Sequence, residues 1–87
     1  MVTANYKCLS MVDNGTIKKN EFACIMFHNV GTQDVYVNGL LVKPDTSLEF
    51  NEDYNIFINS DFNIVFDGDV SKKNLLNIVE TFYRQEQ

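Results

Sequence analysis

The sequence predicts an all-β fold, a small antiparallel β-sandwich or barrel-like domain. Three observations carry that expectation. Apolar and polar residues alternate over short runs such as Tyr54–Asn59 and Phe62–Phe66, the period of a half-buried strand. Turn-forming clusters recur roughly every eight to twelve residues, as in small sandwiches and barrels. The stretch from Phe27 to Phe50 places a β-branched and aromatic run between two turn signals.

That stretch is the organising segment. Asn29-Val30-Gly31-Thr32 is rich in turn formers, and Gly31 can adopt a positive φ at little cost. Asp34 to Val37 reads as a strand. Asn38-Gly39 is a strong hairpin signal, because a type I′ turn needs positive φ at both central residues. Leu40 to Val42 resumes the apolar run, and Lys43-Pro44-Asp45 closes it. Pro44 cannot donate to a ladder, so a strand ends or meets an edge there.

The remaining elements follow in order. Met1 to Asn5 reads as a loose terminus, Tyr6 to Val12 as the first strand and Asp13-Asn14-Gly15-Thr16 as a turn. Asn14-Gly15-Thr16 is also a glycosylation sequon, of little meaning without a secretory signal. Glu21 to Asn29 is the most apolar stretch and suits a strand buried on both faces. Phe22, Cys24, Met26 and His28 would share one face, and Ala23, Ile25 and Phe27 the other. Thr46–Asn51, Tyr54–Asn59 and Phe62–Phe66 are further strands, separated by Asn51-Glu52-Asp53 and Asn59-Ser60-Asp61, with Asp67-Gly68-Asp69 ending the last.

The C-terminal segment, 72–86, supports two readings. Leu75, Leu76, Ile78, Val79, Phe82 and Tyr83 form an amphipathic helical stripe. Ile78, Val79, Thr81, Phe82 and Tyr83 also form a β-favouring cluster. As a strand, Leu76, Ile78 and Phe82 face one way, interrupted by Glu80. The all-β context tips the expectation to a final strand on an open edge, with the helix as the alternative.

At 87 residues the chain is expected to be a single β-rich domain spanning 1–87. Seven Phe and four Tyr are many for this length, which suits a thin two-layer core or an interface. The net charge is −5, which argues against a nucleic-acid partner, since phosphate neutralisation needs clustered Lys and Arg. Lys18-Lys19 and Lys72-Lys73 are too few to form a basic stripe. The start of the chain lacks a charged segment followed by an apolar one. No apolar run approaches the ~18 residues of a membrane span. A soluble chain made in the cytosol, with no membrane partner, is therefore expected. Cys8 and Cys24 lack metal-ligand spacing. They are expected to be reduced, a disulfide between them remaining open.

Catalytic chemistry is not anticipated. His28 is the sole histidine, and no nucleophile and orienting group accompany it in the local sequence. Asp67-Gly68-Asp69 falls short of the six or more oxygens that calcium requires. No phosphate loop or dinucleotide fingerprint is present. No catalytic, metal or cofactor site is therefore assigned, and the expectation is a non-enzyme. Tyr36, Asn38, Tyr54, Phe57 and Tyr83 are the candidate interface residues, the aromatics because each lies on the more polar face of its strand or near a chain end.

The central stretch then resembles small β-rich virion proteins of tailed bacteriophages, which carry a phrase like N-x-G-T, V-x-V-N-G, L-x-P-G-x-S, F. The matching residues are Asn29-Val30-Gly31-Thr32, Val35-Tyr36-Val37-Asn38-Gly39, Leu41, Pro44 and Ser47-Leu48-Glu49-Phe50. A short final strand ending in Tyr often follows, similar to Leu75–Tyr83. The resemblance covers about half the chain, and Asp45 stands where glycine is usual. It implies a structural role in the virion as a capsid decoration or auxiliary protein, or a head-tail or tail subunit. The implied partners are capsid, portal or tail proteins, or further copies of the chain. Two other classes remain open: a small acidic phage inhibitor or adaptor of a host protein, and a carbohydrate-binding β-sandwich using Tyr36 or Tyr54.

Overall fold

Eight strands form, and no helix occurs among the described residues. The computed structural model describes residues 2–20, 22–51 and 58–85, the side chains of 2, 3 and 83–85 excepted. The strands are β1 (Val2–Met11), β2 (Gly15–Ile17), β3 (Cys24–Asn29), β4 (Val35–Val37), β5 (Leu40–Val42), β6 (Ser47–Asn51), β7 (Phe62–Phe66) and β8 (Leu76–Gln85). They make two four-stranded antiparallel sheets, with order β1-β8-β3-β6 in sheet A and β2-β7-β4-β5 in sheet B.

This order has a simple origin. β4 pairs with β5, β3 with β6, β2 with β7 and β1 with β8. The chain is thus one long antiparallel ribbon, doubled back at the β4–β5 turn and rolled so that successive pairs fall in alternate sheets. Rolling adds the lateral pairs β3·β8 and β4·β7. The result is the strand order of an eight-stranded jelly roll, a double-sheet sandwich.

The turns fold for local reasons. Asn38 and Gly39 have φ of 48° and 83°, the type I′ geometry that lets a two-residue loop follow the strand twist. Thr46 N–H donates to the Lys43 carbonyl at 3.1 Å, closing a turn with Pro44 at its first central position. Asp45 follows with φ of 62°, the left-handed geometry of a type II turn. Aspartate tolerates that region better than most residues, so replacement of the expected glycine leaves the turn intact.

Between the sheets lies a closed apolar core. Ile25, Phe27, Leu76 and Ile78 face inward from sheet A, and Val35, Val37, Val42, Phe62, Ile64 and Phe66 from sheet B. Phe62 is central to the aromatic packing, with ring centroids 5.1 Å from Phe50, 5.3 Å from Phe27 and 6.2 Å from Phe22. Tilted contacts at these separations suit the quadrupoles of the rings.

The expected C-terminal strand forms: β8 lies between β1 and β3, so both of its backbone edges find partners over most of its length. Other expectations change. Val2–Asn5 is not a loose end. It pairs with Phe82–Gln85, beyond the point where β3 stops pairing with β8 at Thr81. The two strands therefore run on as a two-stranded ribbon, and the molecule is long, 51 × 18 × 17 Å. β3 is sealed on one face only, since Cys24, Met26 and His28 are half-buried on the outside. The predicted strand Tyr54–Asn59 lies mostly outside the described residues; Ile58 forms an isolated bridge with Phe22.

Gly31 is required for closeness rather than for a positive φ. A β-carbon there would sit 2.3 Å from the Lys73 carbonyl oxygen and 2.8 Å from the Leu75 nitrogen. Both obstacles are backbone and cannot swing aside. Gly39 has open space around it and a strained φ instead. Gly31→Ala should therefore cost roughly 3 kcal/mol or more, against about 1 kcal/mol for Gly39→Ala, as read from urea unfolding midpoints.

Candidate functional site

The outer face of sheet B carries the strongest surface feature. β4, β5 and β7 are short and sealed inward by Val35, Val37, Val42, Ile64 and Phe66, so the alternate positions must face out. Tyr36 stands directly between Leu41 of β5 and Val65 of β7. Leu41 is 45% and Val65 48% exposed, and Tyr36 is half-buried by them. Leu40, 50% exposed, pairs with Val37 and so belongs to the opposite, core-side row of β5. Apolar side chains clustered outward on a sheet face favour contact with another surface.

The candidate interface residues separate accordingly. Tyr36 lies at the centre of this patch. Asn38 is exposed at the adjoining hairpin, but its side chain is engaged within the fold. Its Oδ1 accepts from Asn63 N–H at 2.7 Å and its Nδ2 donates to the Asp61 carbonyl at 3.2 Å. Tyr83 stands opposite Ala4 in the backbone of β8, with its side chain outside the described set. Tyr54 and Phe57 also lie outside the described residues. Leu41 and Val65 were missed from sequence. Their signal was parity with Val42 and with Ile64 and Phe66.

The outer face of sheet A is more polar. Ser10, Asn77, His28 and Ser47 form one row across its four strands. The Ser10 hydroxyl donates to Asn77 Oδ1 at 2.7 Å. His28 therefore sits on an open sheet face between two polar neighbours. Cys24 is on the same face, and burial pushes its thiol pKa up, with further upward contributions from the charge and hydrogen bond of Glu49. A raised pKa lowers the thiolate fraction and with it the reactivity. Cys8 and Cys24 are both free thiols. Among the described residues, no group of three or more His, Cys, Asp or Glu side chains is placed to hold a metal.

Among the described residues, two clefts at the rims stand out. One, about 310 Å³, lies between β1 and β2, with Leu9 and Ile17 as walls, Glu80 on its lining and Lys7, Lys18 and Lys19 around it. The other, about 530 Å³, lies at one end of the sandwich between Val12, Gln33, Asp69 and Asn74. Gln33 Nε2 and Asn74 Nδ2 donate to the carbonyls of Asp69 and Val12.

No family model and no curated protein matches this chain.

Glu80 is the least expected group. It shares the inward row of β8 with Leu76, Ile78 and Phe82 and is 5% exposed. Its Oε2 has no hydrogen-bond partner among the described residues. Loss of hydration raises its pKa, and Lys7 opposes this only in part. A carboxyl with a raised folded-state pKa contributes stability below its unfolded pKa, and that contribution is lost as pH rises through the folded value. Glu80→Leu should therefore flatten the pH dependence of thermal unfolding above pH ~4.5. It should also gain about 1 kcal/mol or more at neutral pH by removing an unpaired buried polar group.

Proposed function

We propose that this chain is a non-enzymatic assembly protein of a tailed-phage particle, held to capsid, portal or tail proteins, or to further copies of itself. The observation that carries the reading is the outward cluster of Tyr36, Leu41 and Val65 on sheet B. Such a surface gains free energy by being covered, at roughly 25 cal/mol per Å² of apolar area. Aromatic anchors of this kind tend to dominate interface energetics. The phrase around Asn29–Phe50 that resembles virion proteins supports the same reading. Jelly rolls recur in viral capsid proteins and also in lectins, which supports it by analogy alone.

The test is particle composition combined with a surface variant. The protein should co-purify with intact particles at a fixed ratio to the major capsid or tail protein. Leu41→Asp with Val65→Asp, both at exposed positions, should leave the unfolding midpoint nearly unchanged and reduce incorporation at least about tenfold. Absence of the native protein from purified particles would remove the proposal.

A further inference from the structure

We propose that the cleft of about 530 Å³ at the end of the sandwich binds a calcium ion, through the side-chain oxygens of Gln33 and Asn74 and the carboxylates of Asp13 and Asp69. The inference is independent of the assembly reading above. It begins from two amides whose orientation is fixed. Gln33 Nε2 donates to the Asp69 carbonyl at 2.7 Å, and Asn74 Nδ2 donates to the Val12 carbonyl at 3.3 Å. A carbonyl can only accept, so in each amide the nitrogen is the atom that faces it. The oxygens are thereby turned elsewhere. Gln33 Oε1 and Asn74 Oδ1 are both closed off from solvent, and neither has a hydrogen-bond partner among the described residues. Gln33 as a whole is 2% exposed. A buried acceptor left unmet is costly, so two in one cleft call for an occupant.

The backbone brings the four side chains together. Gln33 N–H donates to the Lys73 carbonyl at 3.1 Å, which sets Gln33 beside Asn74. The bond from Asn74 to Val12 draws in the neighbouring Asp13, and the bond from Gln33 holds the main chain of Asp69. All four residues line the same cleft.

The donor set selects the ligand. Two amide oxygens and two carboxylates are acceptors, and both amide nitrogens are already committed to carbonyls. Lys72 is the one cation among the residues lining the cleft. An anion would find little to hold it there. Oxygen ligands of mixed charge, neutral amides with carboxylates, are what calcium takes, roughly six to eight of them, with water completing the shell on an open side. Magnesium keeps its own water and demands a stricter geometry, so it suits this set less well. Only two of the four groups are acids, which is why the site does not register as a cluster of three or more His, Cys, Asp or Glu side chains.

Calcium titrated into chelator-treated protein tests this, followed by calorimetry and by the carbon-13 shifts of the side-chain carbonyls. Binding should saturate with a dissociation constant on the order of 0.1–1 mM, the weak range that suits a low ligand charge. The thermal unfolding midpoint should rise with calcium, and less with magnesium at the same concentration. The Gln33 and Asn74 side-chain carbonyl signals should shift along the same binding curve. Asp13→Asn with Asp69→Asn should weaken calcium binding about tenfold or more. The double variant should fold as the native chain does without calcium. Both positions are exposed, and an asparagine oxygen at 69 still accepts from Ser71 N–H and Oγ. Failure to saturate by ~10 mM calcium, well above that range, overturns the inference, the two oxygens then being met by water alone. Binding that leaves both amide carbonyls unshifted, or that survives the double substitution, overturns it as well.

Discussion

The buried amide of Asn29 ties the fold together. Its side chain is fully enclosed. Nδ2 donates to the Gln33 carbonyl at 2.7 Å and to the Val42 carbonyl at 2.9 Å, while Oδ1 accepts from Gly31 N–H at 3.1 Å. Its backbone N–H donates to the Thr46 carbonyl at 3.0 Å, and its own carbonyl accepts from Asp45 N–H at 2.8 Å. One residue at the end of β3 thus fixes the approach to β4, the end of β5 and the turn before β6. A buried amide is costly unless paired; here the pairing specifies how two sheets meet.

The turn that follows is anchored to the far end of the chain. Val30 and Gly31 both donate to the Leu75 carbonyl, and Thr32 and Gln33 to the Lys73 carbonyl. Thr32 Oγ1 accepts from Lys73 N–H at 2.8 Å. The N-x-G-T phrase therefore has a physical meaning at each fixed position. Asparagine crosses between sheets, glycine permits backbone contact, and threonine holds the segment leading into β8. Pairs distant in sequence, such as β1 with β8, are brought into register by this local knot. Folding should be slowed by those long-range pairs, since loop closure precedes the contacts that reward it.

The turns were legible because special backbone angles require particular residues, as Asn38-Gly39 and Pro44-Asp45 show. The strand assignment of Phe62–Phe66 followed from its alternation and agrees with β7. The C-terminal segment was ambiguous because Leu75, Leu76, Ile78, Val79, Phe82 and Tyr83 fit a helical stripe while Leu76, Ile78 and Phe82 fit one face of a strand, and only the partners β1 and β3 decide between them. Strand order lay beyond local pattern altogether. The outward patch shows the same limit. Tyr36 was visible as an aromatic on a polar face, but its neighbours Leu41 and Val65 emerge only from the register of three strands. Glu80 broke the apolar alternation in sequence; only the packed sheets show that it stays inward, its Oε2 without a partner among the described residues.

The functional reading follows from what this framework leaves uncovered. A rolled ribbon closes its core but leaves two outer faces, and here one face carries apolar groups. The central physical claim is that Asn29 pins the two sheets to each other. Hydrogen exchange of the Asn29 side-chain amide protons, followed by NMR, tests it most directly. Exchange as slow as that of core amides such as Phe27 and Ile78 is the expected result. Rapid exchange while those amides stay protected would show that the sheets hold together without it.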